Sequence, residues 1–344
     1  GYIYRPLRER RADQVLEALE RRSQEGGYDE VSLTALSTAD YSALPALLRG
    51  AAPRLAARDI SLSVSSLRAV GLDEPLLDDL RTGRAGGLTF APEAGSQTLR
   101  DRIGKRISEE GLLLTARAVV QRGWNHLKLY FMIGLPGETD EDVLAISALA
   151  DKVRRATRGV GGRRPAKLAC AVNNFVPKPH TPMQWCAMAD GEELCRRQRL
   201  LRSDTPRAIE LRLHHVPMSQ LEGILARGDR RLADVIETAY REGARYDSWE
   251  ERFDWPAWQT GFTRAGLDPQ TYLGALPMGG RLPWDHIDPG VTAAFLEKEH
   301  ARFEKGRPGH ACDGDAVCFQ CGLPCETEPP PRASHLAKSN QPAK

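Results

Sequence analysis

The densest group of potential metal ligands in the sequence is a set of four cysteines near its end. The spacing C-x5-C-x2-C-x3-C is formed by Cys312, Cys318, Cys321 and Cys325. Thiolates at such intervals, in a loop that contains Gly and Pro, can surround one tetrahedral ion or one cluster. Zinc and an auxiliary iron–sulfur cluster fit the spacing equally well, and unliganded thiols are the third alternative. We expect a cysteine-ligated metal here.

Turns of small and polar residues follow several apolar segments along the chain, at residues 36–40, 65–68, 91–96, 134–139 and 173–177. In barrels of alternating strands and helices, the turns at the carboxyl ends of the strands carry the functional side chains. Glu93 stands in one such turn, where a carboxylate needs a partner, either a ligand group or Lys128. The glycines of the 134–138 turn let the backbone approach a ligand closely, although a tight turn before a helix explains them as well.

The elements that position these turns alternate between two periodicities. Side chains of strand period occur at residues 31–35, 60–65, 87–91, 126–133 and 167–175, with segments of helical period between them. Strands that alternate with helices predict βαβ units and a parallel sheet. We expect Ser96 and Thr139 to cap helices and Gly50 to end one.

One face of the predicted strands is polar. It carries Ser32, Thr34, Ser61, Ser63, Ser65, Thr89, Lys128, Tyr130 and Asn173. Helices must cover the apolar face, so the polar side chains point inward if the sheet closes, whereas a barrel packed only with itself prefers Val, Ile and Leu inside. We therefore expect a polar-lined cavity that binds a small cofactor. An exposed antiparallel sheet is the alternative, which the intervening helices disfavour.

Composition narrows the class of protein. The 344 residues have a formal charge of only +2, so no strong field directs the chain to nucleic acid or to a membrane surface. No apolar stretch approaches the roughly 18 residues that a membrane span needs. No signal peptide is visible, and clustered thiols suit a reducing compartment, so we expect a cytoplasmic location.

The pattern predicts four parts of the chain. Residues 1–204 form a partial barrel and residues 205–311 a C-terminal lobe, in which residues 209–216 form one further strand. Residues 312–326 are the cysteine-rich loop. Residues 327–344, rich in Pro, Ser, Lys and Gln, are a disordered tail.

Several motifs, in order along the chain, resemble those of radical S-adenosylmethionine (SAM) enzymes. Residues 131–139, FMIGLPGET, resemble the family's fifth-strand motif, and residues 89–96, TFAPEAGS, its fourth-strand motif. Residues 1–6, 36–41, 175–182 and 284–288 are similar to one uncharacterised bacterial group within it. Members of that group often carry a cobalamin-binding-like domain ahead of the barrel.

This resemblance implies an α/β fold, a (β/α)6 barrel, with SAM and a [4Fe-4S] cluster as cofactors and cobalamin as a further candidate. The family holds its cluster with CxxxCxxC after the first strand, and that pattern is absent from this sequence. In the related group, a segment like residues 1–6 follows the third such cysteine. We therefore expect the first strand and cluster loop to precede Gly1, and the chain alone to be inactive.

The resemblance also implies which residues bind SAM. Ser37, Thr38 and Asp40 match the position that contacts the SAM amino group, and Glu93 and Ser96 the position near the ribose and methionine. The turn around adenine corresponds to Ile133, Gly134, Pro136, Gly137 and Glu138, and a second adenine contact to Phe175 and Val176. Lys128 and Tyr130 face the same interior and are expected to touch SAM or substrate. No catalytic residue is assigned.

The expected function is reductive cleavage of SAM at the cluster, which starts radical chemistry on an unidentified substrate. The resemblance implies a one-electron reductant, such as flavodoxin or ferredoxin, as a partner. An RNA-modifying enzyme of the same superfamily is one alternative, although no basic RNA-binding domain is evident. A catalytically silent barrel that recruits a partner through structural metal is the other.

Overall fold

The computed structural model describes residues 8–35, 38, 41–64, 75, 77–78, 87–162, 165–309 and 320–323. Its strands are β1 (Glu30–Leu33), β2 (Ser61–Val64), β3 (Leu88–Glu93), β4 (His126–Ile133), β5 (Lys167–Asn174) and β6 (Ile209–Leu213). β1 pairs with β2, and the other four form a sheet in the order β3-β4-β5-β6. Every pairing is parallel, which confirms the α/β class with a parallel sheet. The two sheets are separate over the described residues, so closure into a partial barrel stays a prediction.

β6 extends the main sheet. Its residues pair in parallel with β5, from Leu168 opposite Ile209 to Val172 opposite Leu213. From the sequence this strand is expected in the lobe that begins at residue 205, whereas its backbone partners lie in the sheet. The reason is that β6 comes directly after a helix that packs on the sheet, as in the preceding βα units.

The described helices mostly follow the strands and cover one face of the main sheet. They are α1 (Ala12–Gly26), α2 (Leu44–Ala56), α3 (Gln97–Arg102), α4 (Glu109–Gln121), α5 (Asp140–Ala156), α6 (Gly191–Asp204), α7 (Val216–Arg227), α8 (Leu232–Arg241), α9 (Trp255–Ala265), α10 (Gln270–Leu273) and α11 (Ala293–Glu304). No helix among the described residues is long and apolar enough to cross a membrane.

Helix capping agrees with the sequence at two of three positions. Thr139 and Asp142 form a reciprocal capping box at the start of α5, and Ser96 caps α3 by accepting from the Leu99 amide. Gly50, however, lies inside α2 and does not end it. A Cβ at Gly50 would stand 3.0 Å from Leu16 Cδ1, so the glycine lets α1 pack closely against α2.

The main sheet has one buried and one polar face, as its alternating sequence predicts. Along β4, Leu127, Leu129, Phe131 and Ile133 are buried, whereas the residues between them are partly exposed. The buried side chains join α4 and α5 in the largest hydrophobic core. Burial of this face fixes the register of the strands, because a shift of one residue would expose every core side chain.

A second hydrophobic cluster fixes the position of α11. Trp185, Trp284 and Phe295 are among its buried members, together with Cys321. The amide of Thr292, the N-cap of α11, donates to the carbonyl of Cys321 at 2.9 Å. These contacts hold the C-terminal helix beside the loop that follows β5.

Candidate functional site

A cavity of about 750 Å3 lies at the carboxyl ends of β4, β5 and β6. Met132, Asn173 and His214 reach it from or just after these strands, and Phe303 reaches it from α11. The cavity falls within the usual size range of small-molecule sites. Its place agrees with the general rule that parallel α/β sheets bind ligands at the carboxyl ends of their strands.

Two of the predicted cofactor contacts line this cavity, and the other described ones do not. Phe175 and Val176, directly after β5, form part of its apolar wall. Ile133 instead points into the main core and is fully buried there. Its neighbour Met132, on the opposite face of β4, takes the place in the cavity that the sequence analysis gives to Ile133. Alternation along the strand explains the difference, because successive side chains point to opposite faces.

The turn after β4 is held from inside. Gly134 and Gly137 both have left-handed backbones, with φ of 85° and 72°. The Gly134 amide donates to Glu138 Oε2 at 2.6 Å, and the same carboxylate forms an ion pair with Arg197. The Glu138 side chain is 1% exposed, and burial raises its pKa to about 7. Glu138 therefore stabilises the turn by accepting a hydrogen bond from the backbone amide of Gly134. Pro136, in the same turn, is partly exposed.

The turn after β3 presents Glu93 at a break in the strand. Its φ is 70°, and the pairing with β4 shifts register between Phe90 and Glu93. Lys105 Nζ lies 3.0 Å from Glu93 Oε1, and both side chains stay partly exposed. Lys128 is thus not its partner over the described residues: the Lys128 ammonium lies 4.7 Å from the centre of the Tyr130 ring.

Ser96 belongs to the contact between this turn and α5. Its hydroxyl accepts from the Leu99 amide and donates to Asp142 Oδ1 at 2.5 Å. A Cβ at Gly95 would lie 2.3 Å from the Ile146 amide nitrogen, so the turn touches the helix backbone directly. Both hydrogen-bonding functions of the Ser96 hydroxyl are used within the protein.

Arg100 is a structural residue of this turn that sequence reasoning missed. Its side chain is buried and donates to the carbonyls of Ala94, Gly95 and Ile107. Burial lowers the pKa of its guanidinium. The chain has many arginines, and nothing in the sequence marks Arg100 as the one that binds the carbonyls of this turn.

Lys128 and Tyr130 lie on the polar face and are not among the residues that line the cavity. Met132, which does line it, stands four residues after Lys128, about 13 Å along a strand, and directly follows Tyr130 on the same face. Glu210 and Arg212 stand opposite Ala169 and Ala171 on β5, which pair with Lys128 and Tyr130. This face therefore carries charged or polar side chains on β4 and β6 and two alanines between them on β5.

Thr38 is the described member of the predicted amino-group contact. It is 4% exposed, and its hydroxyl oxygen has no hydrogen-bond partner among the described residues. A buried hydroxyl without a partner is costly, so a ligand atom is a natural partner for it. Ser37 and Asp40 lie outside the described residues.

Only one of the four predicted metal-binding cysteines lies within the described residues. Cys321 is buried in the second hydrophobic cluster, whereas Cys312, Cys318 and Cys325 lie outside the described residues. Over the described ranges, no group of three or more His, Cys, Asp or Glu side chains is placed to hold a metal. The cysteine-rich loop stays a prediction.

Comparison with known proteins gives three similarities. Residues 2–150 match the model of the radical SAM superfamily. An uncharacterised protein of Methanocaldococcus jannaschii is 30% identical over 237 residues, which cover 68% of this chain and 49% of that protein. The chain thus spans about half the length of this relative. Streptococcus suis SuiB resembles this chain in structure, with a TM-score of 0.41 and 11% identity. The similarity covers 63% of this chain and 46% of SuiB.

Proposed function

We propose, for a chain that belongs to the radical SAM superfamily, that the cavity at the ends of β4 and β5 binds SAM in an enzyme that cleaves it reductively. Membership of the superfamily implies SAM and a [4Fe-4S] cluster as cofactors. The observation that carries the proposal is the cavity itself, which opens where the superfamily's motifs end and is lined by Phe175 and Val176.

The apolar wall of the cavity suits SAM, and Thr38 and Glu93, which do not line the cavity, are our candidates for the polar contacts. The cavity has an apolar wall for a purine base, formed by Met132, Phe175 and Val176. Thr38 supplies a buried hydroxyl with no partner among the described residues. Glu93, with Lys105 at 3.0 Å, presents a partly exposed carboxylate at the end of β3 for the ribose or methionine. Gly134 and Glu138 hold the turn beside them in place.

The described cysteines do not fit the SAM-binding cluster. The sequence lacks CxxxCxxC, and Cys170 is buried with its pKa raised to about 12, which keeps it a neutral thiol. When bound to the whole protein, cluster and SAM supply a 5′-deoxyadenosyl radical. No ligand of this cluster is assigned among the described residues.

Three further elements of the proposal come from the resemblance and the cysteine spacing. The cysteines at 312–325 hold zinc or an auxiliary iron–sulfur cluster. A flavodoxin or ferredoxin supplies electrons in the cytoplasm. Cobalamin is a candidate second cofactor, since the related bacterial group often has a cobalamin-binding-like domain.

Equilibrium binding of SAM to the whole gene product, reconstituted with iron and sulfide, tests the proposed site. Asn173 lines the cavity with an exposed side chain, so Asn173→Trp fills the cavity without disturbing the core. Glu210→Trp changes an exposed residue of the same sheet face away from the cavity. We expect at least tenfold weaker SAM binding for Asn173→Trp and unchanged binding for Glu210→Trp. Equal affinity of both variants and the parent protein would place SAM elsewhere.

A further inference from the structure

The rim of the cavity has more cationic than anionic side chains. Arg102, Arg106, Lys178 and Arg307 line it, whereas its carboxylates are Glu222 and Glu299. Lys178 forms an ion pair with Glu222, and Glu299 Oε1 lies 3.8 Å from Arg302 Nε. The two carboxylates are thus matched. No carboxylate partner exists for the three arginines within the described part of the chain.

Arg102 has a structural task within the protein. Its Nε donates to the Phe303 carbonyl at 3.1 Å, and its guanidinium lies 4.4 Å from the centre of the Phe303 ring. These contacts attach the end of α3 to the end of α11. A Cβ at Gly104 would stand 3.7 Å from the Gly309 amide nitrogen, so the segments after both helices run side by side.

Arg106 and Arg307 come from these two adjoining segments, and neither guanidinium has a hydrogen bond or ion pair to another described residue. Lys105, the residue before Arg106, pairs with Glu93. Solvated arginines are common on protein surfaces, but these two adjoin an apolar wall that includes Phe175, Val176 and Phe303. The combination of free guanidinium groups and an apolar wall fits a ligand that has a charged end and an apolar body.

We infer that the cavity takes, as its substrate, a molecule with a carboxylate or phosphate group joined to an apolar portion. The anionic group lies between Arg106 and Arg307, because guanidinium groups bind these planar or tetrahedral anions through paired hydrogen bonds. The apolar portion lies against Phe303 and Met183. That this ligand is the substrate rests on the proposed function, whereas its binding does not.

Calorimetric titration of the 344-residue chain, without SAM, tests the inference. The probes are phenyl phosphate, phenylacetate and the neutral phenylacetamide. We expect at least one anion to bind about tenfold or more tightly than the amide, as the loss of a charge-assisted hydrogen bond implies. The tighter of the two anions identifies the charged group.

The variants are Arg106→Gln and Arg307→Gln, each expected to weaken binding of the anion about tenfold and to leave the amide unaffected. Both side chains are exposed and make no described hydrogen bond, so the variants should fold normally. Arg117→Gln, at an exposed position of α4 away from the cavity, is the matched control. Anions that bind no better than the amide, or as tightly to the double variant as to the parent, would overturn the inference. SAM cleavage by the whole protein would stand in either case.

Discussion

The backbone amide of Gly134 donates to the carboxylate of Glu138 at 2.6 Å, so the turn after β4 is closed by a side chain from its own far end. The same carboxylate pairs with Arg197 on α6. One buried side chain thus joins the strand end, the turn and α6. This relationship gives Glu138 a structural role in the turn although it does not line the cavity.

Replacing Glu138 by Ala should destabilise the protein by about 3 kcal/mol or more, because it leaves Arg197 without one buried partner and the Gly134 amide without an acceptor. Glu138→Gln should cost less, since an amide oxygen still accepts from Gly134. Urea unfolding of both variants measures the difference. Equal losses for Ala and Gln would show that the charge, and not the tie to Gly134, matters.

Stability should also fall as pH rises past the ordinary range of a carboxyl. Burial raises the pKa of Glu138 from 4.5 to about 7, so between these values the folded protein keeps a proton that the unfolded chain has released. The contribution is present below pH 4.5 and is lost as pH rises through 7. We expect the difference in urea midpoint between the parent protein and Glu138→Gln to change over this range. A constant difference from pH 4.5 to 8 would contradict the raised pKa.

Gly95→Ala should destabilise the contact between the β3 turn and α5. Its Cβ would lie 2.3 Å from the Ile146 amide nitrogen and 2.6 Å from the Asp142 carbonyl oxygen, and a helix backbone cannot yield as a side chain can. We expect a loss of about 2 kcal/mol or more in unfolding free energy. Gly87→Ala is the control, because its Cβ would meet His126 Cβ at an ordinary 3.5 Å. Similar thermal midpoints for the two variants would refute the close approach.

Thr38→Val separates a ligand contact from a structural one. The side chains have similar shape, and the Thr38 hydroxyl has no partner among the described residues. The free energy of unfolding should therefore change by less than about 0.5 kcal/mol or rise, whereas SAM should bind roughly fivefold more weakly after loss of one hydrogen bond. Thermal melts and SAM titration of the whole protein measure the two effects. Lower stability with unchanged SAM affinity would make Thr38 a structural residue.

The strands and helix caps could be predicted because their signals are local. Alternating side chains of strand period locate β4 and β5, and Thr139 with Asp142 marks the start of α5. Gly50 shows where local rules fail: helix packing against Leu16, a contact distant in sequence, decides its position inside α2. The pairing of β6 with β5 is likewise a contact between segments distant in sequence, which local patterns do not predict.

The sequence predicts that the site lies at the strand ends. It does not predict which side chains pair with one another there. Phe175 and Val176, for which the motifs predict a contact with adenine, line the cavity. The pairing of Glu93 with Lys105 depends on the turn after α3, which brings a residue twelve positions away to the strand end. Phe303 and Arg307 line the cavity because α11 folds back over the cavity. These residues lie about 130 positions after Phe175 along the chain, so no local sequence signal predicts the contact.

A measurement of 5′-deoxyadenosine tests the proposed cleavage of SAM. The whole gene product is reconstituted anaerobically with iron and sulfide, its iron is counted, and SAM and dithionite are added. We predict deoxyadenosine that requires both SAM and reductant. No deoxyadenosine from a protein fully loaded with iron would contradict the radical SAM function and favour a binding module.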